Sequence, residues 1–226
     1  MEARTGGVLA MVGSKNYFDV ENEGNFNAAT AHRQPGSALK PVMYATAFEK
    51  GYTPATFVMD LRTEFPTNVP GQPDYRPENY DGKYRGPMQI RFALGNSINV
   101  PAVKMLATVG IKPVMQKAYE MGIENWKPTN ENLANVGLSL VLGGREATLL
   151  EMATAYSAFA NHGIKKDVFS IVEVKDRKGK AIYKHKDSKG VRVLSEEVAF
   201  LISHILLDNN ARREVFGTNS FLNIAG

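Results

Sequence analysis

A serine and a lysine three residues apart, Ser37 and Lys40, offer the clearest chemistry in this sequence of 226 residues. A serine hydroxyl is a poor nucleophile until a nearby base takes its proton, and a lysine whose pKa is lowered by burial can be that base. Positions i and i+3 share one face of a helix, so the two side chains can meet if a helix begins near Ser37. By itself the pattern is weak, because an exposed serine beside a solvated lysine is the ordinary case.

The residues that follow predict a helix from Ser37 to Lys50, which Gly51 ends. Apolar side chains recur near helical spacing at Leu39, Val42, Met43, Ala47 and Phe48. Pro41 is tolerated only in a first turn, where the N–H groups have no intrahelical partners. Pro41 therefore predicts that Ser37 lies at the helix N-terminus, where N–H groups and the helix dipole favour developing negative charge.

A second pattern, Ser-x-Asn, occurs at Ser97 with Asn99 and at Ser14 with Asn16. The first pair lies between two predicted helices, at about 89–96 and 100–109, where both side chains can project into a cleft, pass a proton and hold a substrate amide. The second pair follows the first predicted strand and is interpreted as a turn. Serine and asparagine are also favoured as helix caps at such junctions, and on the pattern alone that alternative is favoured.

The remaining elements predict an α/β or α+β domain whose sheet is assembled from both ends of the chain. Further helices are predicted at 112–121, at 149–160 behind a capping box of Thr148 and Glu151, and after Ser195 to Leu207. A buried strand is predicted at 7–13, a hairpin at 168–175 with 180–183, and the approach to another strand at 219–226. Residues 52–89 hold six prolines and predict an ordered excursion.

Composition excludes several classes of function. Net charge is +4 and the basic residues are scattered, apart from a looser cluster at 165–189 interpreted as the solvated face of the hairpin, so nucleic acid is not predicted as a partner. There is no cysteine, and the four histidines lack metal-ligand spacing, so neither a metal nor a cofactor is predicted. No apolar run approaches the roughly 20 residues that cross a bilayer, so no membrane segment is predicted.

Ser-x-x-Lys and Ser-x-Asn are short patterns, but longer segments around them match a single protein family. They are Phe-Asn-Ala-Ala-Thr at 26–30, Arg-Gln-Pro-Gly-Ser at 33–37, Tyr-Arg-Pro-Glu-Asn-Tyr-Asp-Gly-Lys-Tyr-Arg-Gly-Pro at 75–87, Ser-Ile-Asn-Val-Pro-Ala-Val at 97–103, and Leu-Gly-Gly at 142–144 followed by the capping box. In this order they resemble the transpeptidase domain of class A penicillin-binding proteins, whose signature shares Ser-x-x-Lys and Ser-x-Asn with serine β-lactamases. The resemblance implies that fold, with helices packed on an antiparallel sheet that is incomplete at its C-terminal end.

The resemblance also implies residue roles. Ser37 would attack the carbonyl of the penultimate D-alanine of a D-Ala-D-Ala stem peptide, and Lys40 would accept its proton. Ser97 would relay a proton to the departing D-alanine, and Asn99 would orient the substrate amide and Lys40. Transfer of the acyl group to a neighbouring stem would cross-link peptidoglycan in the bacterial cell envelope, outside the inner or plasma membrane, and β-lactam antibiotics would mimic the donor. The Ser37 N–H would supply half of the oxyanion hole.

The sequence departs from the pattern of this family in one respect that bears on catalytic activity. The third motif of the family, Lys-Thr-Gly or Lys-Ser-Gly, occurs nowhere in the sequence. In the family it follows a segment like that at 221–226, so residues 1–226 are expected to be part of a transpeptidase domain from a longer parent protein with a glycosyltransferase domain and a membrane anchor. The alternatives are a catalytically incompetent binding or structural fragment of this fold, and a hydrolase of the D,D-carboxypeptidase or β-lactamase type, which the lack of a separate carboxylate motif disfavours.

Overall fold

The computed structural model describes residues 1–67, 71 and 73–223. Among these residues, eight α-helices and six short strands alternate with turns and 3₁₀ segments. The helices are α1 (Lys40–Glu49), α2 (Ile90–Gly95), α3 (Asn99–Val109), α4 (Ile111–Glu120), α5 (Asn130–Ala134), α6 (Leu149–Ala160), α7 (Glu196–Leu207) and α8 (Asn209–Phe216). The strands are β1 (Phe57–Asp60), β2 (Gly86–Gln89), β3 (Ile164–Lys165), β4 (Glu173–Lys175), β5 (Ala181–Lys184) and β6 (Val191–Arg192).

Helix α1 lies at the centre of the core. Every residue from Lys40 to Phe48 is buried, and the helix contacts α3, α4 and α7. A helix that is apolar on all sides belongs inside a protein, whereas one apolar stripe belongs at its surface. The predicted helix is thus confirmed, but it is enclosed on every side rather than on one face.

The other predicted helices are confirmed with small changes at their ends. Helices α2, α3 and α4 each begin and end within one residue of the predicted limits. The capping box of α6 is present, since Thr148 Oγ1 accepts from the Glu151 N–H at 3.1 Å and Glu151 Oε2 accepts from the Thr148 N–H at 2.7 Å. Ser195 caps α7 by accepting from the Val198 N–H at 3.2 Å.

The strands form three separate two-stranded antiparallel sheets in the described part of the chain: β1 with β2, β3 with β6, and β4 with β5. The predicted hairpin is β4 and β5, with β4 shorter than expected and both strands exposed. The middle of the basic cluster, from Lys175 to Lys184, lies on this solvated hairpin, whereas Lys165 lies in β3. Asp176 closes its turn, because one carboxylate oxygen accepts from the Lys178 and Lys180 N–H groups at 2.8 and 2.9 Å.

The prediction of a buried strand at 7–13 is wrong. Within the described residues, only Gly7 pairs, through a single parallel bridge to Phe169. Leu9 and Val12 are 74% and 77% exposed. An apolar run is buried as a strand only where neighbouring strands offer it a hydrogen-bonding edge, and the described chain offers this run one bridge. The predicted approach to a strand lies partly outside the described residues, at 224–226; its described part, 219–223, forms turns.

Candidate active site

Ser37 and Lys40 are held one turn apart at the start of the central helix. Gly36–Leu39 forms a 3₁₀ turn that runs directly into α1, and the Lys40 N–H donates to the Ser37 carbonyl. Side chains at i and i+3 eclipse in a 3₁₀ turn, so both point to one side. The α-helix therefore begins three residues later than predicted, and Pro41 occupies its second position.

A glycine allows a loop to pack against the turn that carries Ser37. Gly143 follows the 3₁₀ segment Leu138–Leu142 and has a positive φ of 89°. A Cβ at this position would lie 2.2 Å from the Gly36 nitrogen. The Leu-Gly-Gly segment seen in the sequence thus has a physical reason: only glycine lets the two backbones approach this closely.

Lys40 is buried, with 1% of its surface exposed. Its Nζ donates to the Ser97 carbonyl at 2.5 Å, to Ser97 Oγ at 3.1 Å and to Asn99 Oδ1 at 2.7 Å. Burial lowers the pKa of Lys40 to about 7, because removal from water disfavours the ammonium form. An amine with that pKa is available both as a base and as an acid near neutral pH.

Ser97 occupies a strained position between α2 and α3. Its φ is +55°, in the left-handed region that non-glycine residues rarely adopt. Backbone hydrogen bonds hold it there, from the Ser97 N–H to Leu94 O at 3.0 Å and from the Ile98 N–H to Ala93 O at 2.9 Å. Strain of this kind persists where the surrounding structure enforces it, and it is concentrated at functional sites.

The structure excludes the helix-cap interpretation of Ser97 and Asn99. The cap position of α3 is Ile98, which makes no side-chain capping bond, so Ser97 and Asn99 are not helix caps; both side chains contact Lys40 instead. In the other pair, Ser14 donates to the Gly24 carbonyl and Asn16 accepts from the Phe18 N–H within a loop. The turn interpretation of that pair is confirmed.

Ser37, Lys40 and Ser97 line one cavity of about 150 Å³. Ser37 is exposed at this cavity, and within the described residues its hydroxyl makes no hydrogen bond. Asn99 is not part of the lining, and it reaches the site through Lys40. The other lining residues come from α1, α2, α6, α7, α8 and the segment after α8: Pro41, Leu94, Gly95, Tyr156, Ile205, Leu206, Arg212, Phe216 and Leu222.

Sequence reasoning missed two polar residues of this cavity, Tyr156 and Arg212. The Tyr156 hydroxyl donates to the Ala38 carbonyl at 2.9 Å, and burial raises its pKa to about 12. Arg212 is 9% exposed and donates to the Leu206 carbonyl. Both lie more than a hundred residues from Ser37 along the chain, and no local pattern marks them. In the part of the chain that the structure describes, no group of three or more acidic or histidine side chains is placed to hold a metal ion.

A serine and a buried lysine at one cavity, with a Ser-x-Asn pair that contacts the lysine, match two parts of the signature of penicillin-binding proteins and serine β-lactamases. A family model described as the penicillin binding protein transpeptidase domain matches residues 1–224. The chain belongs to this family. The resemblance inferred from the sequence is confirmed.

Individual relatives agree. Penicillin-binding protein 1A of Neisseria lactamica is 36% identical over 181 residues, which are 80% of this chain and 21% of that protein. Penicillin-binding protein 1A of Aquifex aeolicus is 36% identical over 183 residues, covering 80% of this chain and 23% of that protein. The chain therefore spans about a fifth of the length of the curated relatives that it matches.

Solved structures bear out the predicted fold class. The crystal structure of penicillin-binding protein 1A from Haemophilus influenzae is 29% identical and superposes with a TM-score of 0.79 over 93% of this chain and 34% of that one. Penicillin-binding protein A from M. tuberculosis, solved as its imipenem acyl-enzyme complex, has a TM-score of 0.76 at 20% identity over 95% of this chain and 56% of that one. Among the described helices of the chain itself, none has both the length and the apolar character to cross a membrane.

The strain at Ser97 gives a test that separates function from stability. Ser97→Gly is expected to leave the free energy of unfolding of the chain unchanged or to raise it by about 1 kcal/mol, because glycine adopts a positive φ without the steric cost of a Cβ. Loss of the contact from Lys40 to Ser97 Oγ opposes that gain. Urea unfolding of the variant and of the original chain measures the difference, with Ser14→Ala as the control at the other Ser-x-Asn pair. Destabilisation by several kcal/mol would contradict the idea that the strain is kept for function.

Proposed function

We propose that the parent protein is a serine D,D-transpeptidase that cross-links peptidoglycan stem peptides through an acyl-enzyme on Ser37. The observation that carries the proposal is the buried Lys40, whose Nζ contacts Ser97 Oγ and Asn99 Oδ1 beside the exposed Ser37. Family membership supports the reaction class, since penicillin-binding proteins carry out acyl transfer at this kind of site.

In the proposed first half of the reaction, Lys40 Nζ accepts the proton of the Ser37 hydroxyl as Oγ attacks the carbonyl of the penultimate D-alanine. The tetrahedral intermediate then collapses with cleavage of the peptide bond. The departing amine of the terminal D-alanine needs a proton, which Ser97 Oγ donates while it receives one from the Lys40 ammonium across their 3.1 Å contact. Asn99 Oδ1 holds Lys40 in place from the other side at 2.7 Å.

In the second half, an amine of a neighbouring stem peptide attacks the acyl-enzyme ester. The same groups act in reverse: a proton leaves the attacking amine, and Ser37 Oγ recovers one as the ester breaks. A β-lactam enters at the first half, because opening of its ring acylates Ser37 and the amine stays attached. The imipenem and ceftriaxone acyl-enzyme complexes of penicillin-binding protein A from M. tuberculosis support such a step for the family fold.

The proposed location of the protein is the extracytoplasmic side of the bacterial cell envelope.

The experiment is incubation with a labelled penicillin followed by intact-mass measurement, on the parent protein and on residues 1–226. The parent is expected to gain one penicillin on Ser37 that persists for many minutes. The 226-residue chain is expected to be labelled slowly or not at all, because its sequence lacks the Lys-Thr-Gly motif.

Other outcomes separate the alternatives. An unlabelled parent protein would contradict the transpeptidase proposal. Release of the hydrolysed drug within seconds would identify a hydrolase. Rapid stoichiometric labelling of the 226-residue chain would show that the third motif is dispensable and would contradict the second expectation.

A further inference from the structure

Helix α3, which carries Asn99, begins on a side chain from a distant loop. Its own cap residue, Ile98, has no polar side chain, so the first N–H groups of the helix need another acceptor. Asn79 supplies it: Oδ1 accepts from the Asn99 N–H and from the Val100 N–H, each at 3.0 Å. Asn79 lies between β1 and β2 and is only 5% exposed.

The orientation of the Asn79 amide is determined by four partners. While Oδ1 faces the two N–H groups of α3, Nδ2 donates to Asp60 Oδ1 at 2.7 Å and to the Lys83 carbonyl at 2.7 Å. An amide has two donor and two acceptor positions, and all four are used here. A flipped amide would turn donors toward donors, so only one orientation satisfies the site.

Asp60, the last residue of β1, accepts a hydrogen bond from the Asn79 amide on the side away from α3. Its side chain is fully buried, a costly place for a carboxylate without partners. One oxygen accepts from Asn79, and the other accepts from the Arg85 N–H at 3.0 Å and lies 3.8 Å from the Arg85 guanidinium. The Lys104 ammonium lies beside this strand end, where its Nζ donates to the carbonyl of the neighbouring Met59 at 2.8 Å. Both oxygens of the buried carboxylate thus accept a hydrogen bond, which fixes its orientation toward Asn79.

The network leads to Lys40 without touching the cavity. The Asn99 backbone is held by Asn79, and its Nδ2 donates at 2.8 Å to the carbonyl of the neighbouring Glu78, so Asn99 Oδ1 is aimed at Lys40 Nζ, 2.7 Å away. Neither Asp60 nor Asn79 lines the cavity. We propose that Asp60 and Asn79 are positioning residues for acyl transfer, which set the location of Asn99 and through it the location of Lys40. This inference rests on the proposed role of Lys40 as the base.

The first test is Asn79→Ala in the parent protein. Misplacement of a catalytic group by about 1 Å costs up to about 100-fold in rate, so the rate constant of acylation by penicillin is expected to fall about 10- to 100-fold. The dissociation constant of the non-covalent penicillin complex is expected to change little, because Asn79 is not in the cavity. Stopped-flow acylation over a range of penicillin concentrations separates the two constants. In the 226-residue chain, the Asn99 and Val100 amides are expected to lose protection from hydrogen exchange.

The second test exchanges the side chains of Asp60 and Asn79. Asp60→Asn keeps the shape of the residue but sets an amide against the Asn79 amide or the Arg85 N–H, so it is expected to slow acylation even if Asn79→Ala does not fold. Adding Asn79→Asp restores the hydrogen bond between positions 60 and 79, now with the amide of position 60 as the donor and the carboxylate of position 79 as the acceptor. The second oxygen of that carboxylate can still accept from the Asn99 N–H. The double exchange is expected to recover most of the rate, although the Lys83 carbonyl loses its donor.

Ser195→Ala is the matched control, because it removes the cap of α7 away from the network. It is expected to lower the unfolding midpoint without changing the acylation rate constant. The inference is overturned if Asn79→Ala and Asp60→Asn acylate as fast as the original protein, if they slow only in proportion to the unfolded fraction, or if the double exchange recovers nothing. Failure of penicillin to label Ser37 in the unmutated parent would overturn the proposed function itself, and this inference with it.

Discussion

Ser37→Ala is expected to abolish covalent labelling of the parent protein by penicillin. The variant lacks the only atom proposed to form the acyl ester, whereas Lys40, Ser97 and Asn99 keep their mutual hydrogen bonds. Ser37 is exposed and its hydroxyl makes no hydrogen bond within the described residues, so the free energy of unfolding is expected to change by less than about 0.5 kcal/mol. Loss of label without loss of stability then identifies a nucleophile rather than a structural residue.

Intact-mass measurement after an hour with excess penicillin checks this expectation, with urea unfolding beside it. Ser170→Ala is the control, since Ser170 is an exposed serine in the bend before β4 and does not line the cavity. It is expected to be labelled like the original protein. A labelled Ser37→Ala protein would mean that another residue carries the acyl group, and the mass of the modified peptide would show which.

Lys40→Met is expected to lower the rate constant of acylation by about 10²- to 10⁴-fold, the range that a general base contributes. Methionine has nearly the length of lysine and suits a buried site, so the central helix keeps its packing. Lys50→Met is the control on the same segment: Lys50 is exposed at the end of α1, and its Nζ donates to the Val109 carbonyl at 2.7 Å. An acylation rate within tenfold of the original would reject Lys40 as the base.

The pH dependence of acylation follows from the pKa of about 7 at Lys40. The base is neutral above that pH and protonated below it. The rate constant is therefore expected to rise tenfold per pH unit below about 7 and to level off above it, a profile that Lys40→Met should lack. A profile that is flat from pH 5 to 9 in the original protein would contradict the assignment.

The titration of Lys40 should also change the stability of the folded chain, which can be measured without any acylation reaction. Burial holds the pKa of Lys40 near 7 in the folded chain, below its ordinary value of 10.5, so the unfolded chain binds more protons between these two values. The free energy of unfolding from this one group rises with pH across that window, by up to about 1.4 kcal/mol per pH unit. Urea unfolding between pH 6 and 9 measures the free energy of unfolding of the 226-residue chain and of Lys40→Met at each pH. The two plots against pH should diverge; parallel plots would show that the pKa of Lys40 is not lowered by folding.

Local patterns in the sequence were sufficient for most helices. The capping box at Thr148 and the serine cap at Ser195 depend on residues within one turn of each other, and they predict the bounds of α6 and α7 closely. The apolar spacing and Pro41 predict α1 as well, with its start three residues too early. The same is true of Ser37 and Lys40, whose relation is set by one helical turn.

The failed prediction at 7–13 shows the limit of such patterns. Its apolar residues are those of a buried strand, but burial of a strand depends on what lies beside it, and the described chain places only Phe169 against Gly7. A run of residues does not encode its own neighbours. The short strand pairs that do form, such as β1 with β2, join segments about thirty residues apart through a proline-rich excursion and could not be paired from composition.

By itself, the sequence determined the two motifs, their family resemblance and the helices that carry them, because each depends on neighbours along the chain. The tertiary structure decided that Ser97 and Asn99 are not helix caps, since Asn79 rather than either of them caps α3 and both side chains contact Lys40. It also decided the pKa of Lys40, because the amine becomes buried only when α1 is enclosed by α3, α4 and α7. The proposed nucleophile and base lie three residues apart in the sequence, whereas the hydrogen-bond partners of the lysine, Ser97 and Asn99, come from about sixty positions away.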